Sequence, residues 1–153
     1  PLFFVEVAEI VNRIKKLKVL VLGNGPLREM MKQKLDVYGI QHTFAGYVEQ
    51  KHLQSCYSKS RLLLFPTEND PWGVVANEAL SAGVPVIFSP NAGAADDLII
   101  SGKNGFVLEN DVELWAQKAI EILEGKYKFE FDARSTIKAV TEDLLSSLNS
   151  VGG

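Results

Sequence analysis

The stretch Leu62–Ala79, LLLFPTENDPWGVVANEA, decides the fold of this 153-residue chain. An apolar run stops at Pro66, a polar loop follows, and a helical pattern begins after Gly73. An apolar run, a proline-terminated loop and a helix are typical of one strand–loop–helix unit of a parallel sheet. The stretch therefore predicts an α/β fold in which such units repeat along the chain.

Two acidic residues, Asp70 and Glu78, flank the start of this helix. The first N–H groups of a helix lack partners within the helix and attract phosphate, and Gly73, Val74 and Val75 carry those groups here. Glu78 lies roughly 6–8 Å further along, which fits the distance between a phosphate and the ribose of one nucleotide. A carboxylate accepts hydrogen bonds from adjacent hydroxyls, so the pattern predicts a nucleotide-diphosphate site with a ribose clamp.

Composition is that of one ordinary globular domain, with 46% hydrophobic and 23% charged residues. A net charge of −3 argues against a nucleic-acid-binding surface. The single cysteine, Cys56, excludes an internal disulfide and fits a reducing compartment. No apolar run approaches the ~20 residues of a membrane span, and the first residues do not form a signal peptide, so we expect a cytoplasmic protein.

Strand and helix patterns alternate along the whole chain. Strands are predicted at Leu2–Val5, Lys18–Leu22, Thr43–Ala45, Arg61–Phe65, Val84–Phe88 and Phe106–Leu108. Helices are predicted at Glu6–Leu17, Leu27–Tyr38, Glu49–Ser58, Val74–Ala82, Asp96–Ile100, Val112–Glu124 and Ser135–Leu148. The alternation predicts a single Rossmann-like domain over residues 1–153, a three-layer α/β/α sandwich with a mainly parallel sheet.

The junction between Val5 and Glu6 does not fit this pattern, because a strand-to-helix connection normally needs a few turn residues. Two interpretations are open. Either Leu2–Val5 is the first turn of the helix, or a loop that belongs between Val5 and Glu6 is absent from this chain.

Ligands of parallel sheets bind beyond the carboxyl ends of the strands. Glycine-bearing loops collect at that edge, where backbone can approach a ligand closely. These loops are Gly23–Gly25, Gly46–Tyr47, Thr67–Gly73 and Asn91–Gly93.

Several motifs follow one another along the chain in a fixed order and spacing. They are GNGP at Gly23–Pro26, FAGYV at Phe44–Val48, Asp70–Ala79 followed by Ala82–Ile87, NAGAADDLI at Asn91–Ile99 and GKNGFVL at Gly102–Leu108. In this order they resemble the C-terminal, donor-binding domain of family-four glycosyltransferases, also called glycosyl transferases group 1. The central motif is similar to that family's pair of acids with seven residues between them.

The resemblance implies one half of a GT-B fold and the retaining transfer of a sugar from a UDP- or GDP-sugar to a glycan or lipid-linked acceptor. It implies neither a metal nor any other cofactor. The catalytic pair would be Glu78, which binds ribose hydroxyls, and Asp70, which stands where the family usually has glutamate and contacts the donor sugar. The other donor-binding positions would be Gly25, Tyr47, Val48, Trp72, Gly73, Val74, Val75 and Gly93.

Two parts of such enzymes are missing from the sequence. One is a basic loop like GRLxxxKG, whose arginine and lysine pair with the phosphates; neither Arg13 nor Lys15 stands at the matching position. Leu2–Val5 resembles the strand before that loop and Glu6–Leu17 the helix after it, so the resemblance implies that this strand-to-helix loop is missing between Val5 and Glu6. The other is the N-terminal acceptor-binding domain. The resemblance implies that domain as a partner in polysaccharide biosynthesis, with peripheral association at the inner face of the membrane. We expect this domain alone to be inactive.

Other interpretations stay open on the sequence. A nucleoside-diphosphate-sugar 2-epimerase has the same architecture, but it needs more acidic and histidine residues around the cleft. A non-catalytic sugar-nucleotide-binding fragment is the second alternative, and the missing basic loop favours it. Glu68 competes with Asp70 for the role of first acid, and Trp72 alternatively serves only in packing.

Overall fold

We describe the fold from a computed structural model, in which residues 2–67, 72–90 and 98–131 are described. The elements in these ranges are α1 (Leu2–Ile14), β1 (Lys18–Leu22), α2 (Arg28–Val37), β2 (Gln41–Gly46), α3 (Gln50–Ser58), β3 (Leu63–Phe65), α4 (Val74–Ser81), β4 (Val86–Phe88), β5 (Gly105–Val107) and α5 (Val112–Leu123). The predicted terminal helix Ser135–Leu148 lies outside the described residues.

The strands pair in parallel, as the alternation of strands and helices predicts. β1 pairs with β2, and β4 lies between β3 and β5. Among β3, β4 and β5, Leu63 stands opposite Val86, and Val86 stands opposite Gly105. The carboxyl ends of β3, β4 and β5 therefore meet at one edge of the sheet.

The N-terminal segment is helical, so the predicted strand Leu2–Val5 is wrong. These residues form the first turn of α1, which runs through Val5 and Glu6 without a break. Val7 and Val11 are buried four residues apart, which is a helical spacing. The interpretation that Leu2–Val5 opens the helix is therefore confirmed.

The described strands form two hydrogen-bonded groups, a two-stranded group (β1 and β2) and a three-stranded group (β3 to β5). Helix α1 packs against both. Val5 lies in a cluster with Val19 of β1, whereas Val7 lies in a cluster with Ile87 of β4. Leu22, at the end of β1, packs against the core of the three-stranded group.

Helices cover both faces of the three-stranded group. All three residues of β4 are fully buried, and their side chains alternate between the faces. Phe88 packs on one face in a cluster that contains residues of α3 and α4. Ile87 packs on the other face with Trp115 of α5 and residues of α1. This layering confirms the predicted α/β/α sandwich.

Candidate functional site

The edge at the carboxyl ends of β3 and β4 is fixed by Ser89, which is fully buried. The backbone N–H of Thr67 donates to Ser89 Oγ at 3.0 Å. Ser89 Oγ in turn donates to the carbonyl oxygen of Thr67 at 2.5 Å. The start of the loop that follows β3 is therefore tied to the end of β4, and the chain leaves the sheet at a defined position.

Helix α4 begins where the sequence predicts. Gly73 precedes it as the N-cap with φ 58° and ψ 27°, a left-handed conformation that side chains disfavour. The first backbone hydrogen bond of the helix runs from the N–H of Asn77 to the carbonyl of Gly73 at 2.9 Å. The side chains of Trp72 and Val74 are 68% and 55% exposed, whereas Gly73 between them is buried.

Glu78 lies on the second turn of α4 and is half-buried. Both of its carboxylate oxygens accept hydrogen bonds from side chains of α3. The Nε2 group of Gln50 donates to Oε1 at 3.2 Å, and the hydroxyl of Tyr57 donates to Oε2 at 3.2 Å. The carboxylate is therefore held by two donors from a neighbouring helix.

Tyr57 combines a buried ring with a polar contact. The side chain is only 5% exposed and packs in a cluster with Ala76, Ala79 and Leu80 of α4. Burial raises the pKa of the hydroxyl above its usual range, and the charge and hydrogen bond of Glu78 raise this pKa further. The hydroxyl therefore keeps its proton at neutral pH and acts as a donor to Glu78.

Sequence reasoning missed Gln50 and Tyr57 as members of this site. The available signal was their spacing, because residues seven apart in a helix lie on the same face. The predicted helix Glu49–Ser58 contains both residues, but nothing in the sequence shows which neighbouring helix that face contacts.

The turn after β1 borders a cavity of about 390 Å³, lined by the GNGP residues 23–26 together with Arg28 and Phe44. The guanidinium carbon of Arg28 lies 5.0 Å from the centre of the Phe44 ring. Arg28 Nη1 also donates to Asn24 Oδ1 at 3.0 Å. A methyl group added at Gly25 would meet no heavy atom within 4 Å, so the backbone is accessible there.

The remaining predicted positions divide into two sets. Tyr47, just after β2, is 82% exposed, and Val48 beside it is half-buried. Asp70, its competitor Glu68, and Gly93 lie outside the described residues, so their predicted roles stay predictions.

Within residues 2–67, 72–90 and 98–131, no three His, Cys, Asp or Glu side chains are grouped so that they could hold a metal ion. In the same ranges, no helix is long and apolar enough to cross a bilayer.

The fold is that of a GT-B glycosyltransferase domain, because solved glycosyltransferases superpose on it. The C-terminal domain of a glycosyl transferase group 1 family protein from Francisella tularensis matches with a TM-score of 0.71 and 22% identity, over 81% of this chain and 68% of that one. S. aureus TarM matches with a TM-score of 0.70 and 21% identity, over 80% of this chain and 25% of that one.

The sequence defines the family. The model for glycosyl transferases group 1 matches residues 3–139, and the chain belongs to that family. A relative from Niallia circulans, a 2-deoxystreptamine N-acetyl-D-glucosaminyltransferase, is 34% identical over 125 residues, which are 78% of this chain and 32% of the relative. The chain thus spans about a third of that relative's length. The resemblance stated from the motifs is confirmed.

Proposed function

We propose that this chain is the donor-binding domain of a retaining glycosyltransferase that uses a UDP- or GDP-sugar. The observation that carries the proposal is the position of Glu78. Its carboxylate is fixed from α3 and lies about one and a half turns from the start of α4, roughly 6–8 Å along the helix axis. That spacing fits the ribose and diphosphate of one nucleotide.

The comparisons support this proposal at the level of the family. The Niallia circulans relative is named for the transfer of an N-acetylglucosaminyl group. S. aureus TarM, which shares the fold, was crystallised with UDP. The family match also favours sugar transfer over the 2-epimerase that the sequence leaves open.

In the proposed mechanism, the domain binds and orients the donor and stabilises the leaving group. The N–H groups at Gly73, Val74 and Val75 would face the diphosphate as negative charge develops on it. Glu78 would hold the ribose hydroxyls and Asp70 the sugar hydroxyls, and neither carboxylate would transfer a proton. Gly25 would let the backbone approach the diphosphate. We propose no metal in this step.

Two parts of the proposed enzyme come from outside this chain. Because α1 passes through Val5 and Glu6 without a break, we place the basic loop of the family before residue 1, not between those two residues. We assign acceptor binding to an N-terminal domain of the same enzyme. That domain would bring the donor site to the cytoplasmic face of the membrane, where lipid-linked or polysaccharide acceptors are extended.

The test uses the full-length protein that carries this domain, titrated with UDP and with GDP by calorimetry. We expect one of the two nucleotides to bind, and Glu78→Gln to weaken that binding about 10- to 100-fold, because a charge-assisted hydrogen bond is lost. Glu113→Gln, at an exposed position on α5, is the matched control and should bind normally.

Two results would contradict the proposal. Binding of neither nucleotide at millimolar concentration would refute the donor site and support the non-catalytic alternative. Unchanged affinity in Glu78→Gln would refute the ribose clamp while leaving the family assignment intact.

A further inference from the structure

We infer that Tyr57 and Gln50 are positioning residues, which orient the Glu78 carboxylate so that its remaining acceptor sites face the two ribose hydroxyls of the donor. This inference rests on the proposed function. If it holds, residues on α3 control how well the site distinguishes ribose from deoxyribose nucleotides, which the proposed function alone does not require.

The first argument is a count of acceptor sites. An ionised carboxylate offers about four lone-pair positions on its two oxygens. Gln50 Nε2 occupies one position on Oε1, and the Tyr57 hydroxyl occupies one position on Oε2. Roughly two positions remain, one on each oxygen. Two adjacent ribose hydroxyls need two acceptors, one for each hydroxyl, and the two oxygens of one carboxylate supply them side by side.

The second argument concerns rigidity. A glutamate side chain has several rotatable bonds, and fixing such a chain costs entropy. The Tyr57 ring is held by the packed residues around it, and its hydroxyl therefore presents a donor at a fixed place. A carboxylate that is oriented before the ligand arrives loses less entropy on binding, which strengthens binding.

The third argument concerns the different surroundings of the two donors. Tyr57 is buried, whereas Gln50 is exposed, in the first turn of α3. Gln50 is therefore freer to move than Tyr57 when a ligand enters. We assign the larger effect on ribose binding to Tyr57 and a smaller effect to Gln50.

The experiment measures two dissociation constants for each variant of the full-length protein. One is for UDP or GDP, whichever binds, and the other is for the 2′,3′-dideoxy form of the same nucleotide. Tyr57→Phe keeps the buried ring and removes only the hydroxyl. We expect it to weaken ribonucleotide binding about three- to tenfold and to change dideoxynucleotide binding less than about twofold.

The matched control is Tyr127→Phe. The Tyr127 hydroxyl also donates to a glutamate, at 2.8 Å from Glu121 Oε2, but it does so beside α5. This variant loses the same type of hydrogen bond in another part of the domain. We expect both dissociation constants to match those of the wild type.

The readout separates a positioning role from a structural one. The deciding quantity is the dissociation constant of the dideoxynucleotide divided by that of the ribonucleotide. A Tyr57→Phe protein that loses affinity equally for both nucleotides, and so keeps the wild-type value of this ratio, would overturn the inference. If Tyr57→Phe does not fold, Gln50→Ala decides, because Gln50 is exposed. We expect it to lower the ratio of the two constants about two- to threefold, and an unchanged ratio would overturn the inference.

Glu78→Gln separates this inference from the proposed function. If Glu78→Gln lowers the ratio of the two constants and Tyr57→Phe does not, the ribose clamp stands and only the positioning role fails. If Glu78→Gln leaves the ratio unchanged, the ribose clamp itself fails and the positioning role fails with it.

Discussion

Replacing Gly73 with alanine tests the backbone geometry at the start of α4. Gly73 has φ 58°, a left-handed conformation that costs an ordinary L-residue about 1–2 kcal/mol. Alanine also restricts the unfolded chain, which returns about 0.4–1 kcal/mol. We therefore expect Gly73→Ala to lower the free energy of unfolding by about 1 kcal/mol, which corresponds to a melting temperature lower by about 2–4 °C for a chain of this length.

The assay is urea unfolding followed by far-ultraviolet circular dichroism, with two comparison variants. Gly73→Asn should lose less stability than Gly73→Ala, because asparagine tolerates the left-handed region better. Gly25→Ala should instead raise the free energy of unfolding by about 0.4–1 kcal/mol, because alanine restricts the unfolded chain while its new methyl group would have no neighbour within 4 Å and its φ is not positive. A Gly73→Ala protein as stable as the wild type would refute the assigned conformation.

Two further predictions concern the core and the pH dependence of stability. Gly105→Ala should lower the free energy of unfolding by about 1–3 kcal/mol in the same urea assay, because the added Cβ would lie 2.3 Å from the carbonyl oxygen of Val86; a wild-type midpoint would contradict this packing of β4 and β5. The raised pKa of Tyr57 means that the folded state holds the phenolic proton more tightly than the unfolded state does. Its contribution is present below about pH 10 and is lost as pH rises above that value. As pH rises above about 10, the urea midpoint should therefore fall more steeply in the wild type than in Tyr57→Phe. Parallel plots of midpoint against pH would contradict the raised pKa.

The central strand–loop–helix unit could be predicted because its signals are local. An apolar run, a proline and a glycine lie in the order that a parallel α/β unit needs, and the structure has β3 and α4 at those places. The predicted strand Leu2–Val5 was wrong because its local signal is ambiguous. A four-residue run of apolar and aromatic side chains fits a strand or a helix turn equally well, and only its contacts with β1 and α5 decide.

The surroundings of Glu78 could not be predicted to the same depth. Its place on the helix follows from spacing within α4, which the sequence contains. Gln50 and Tyr57 lie 28 and 21 positions before Glu78 in the chain, and their contacts with it depend on how α3 packs on α4. In the sequence alone, Tyr57 has the pattern of an ordinary core aromatic residue.

The contact between α1 and α5 has a consequence for the order in which the chain folds. The Phe3 ring meets the Trp115 ring edge-on, with 5.1 Å between ring centres, so the first and last described helices touch. Contacts between distant residues require closure of a long loop and form slowly. During synthesis α1 can dock early on β1, which follows it closely, whereas the face that bears Val7 and Val11 has to wait for β4 and α5. Until both are made, this apolar face is incompletely covered, and we expect a chaperone to act on it in the nascent domain.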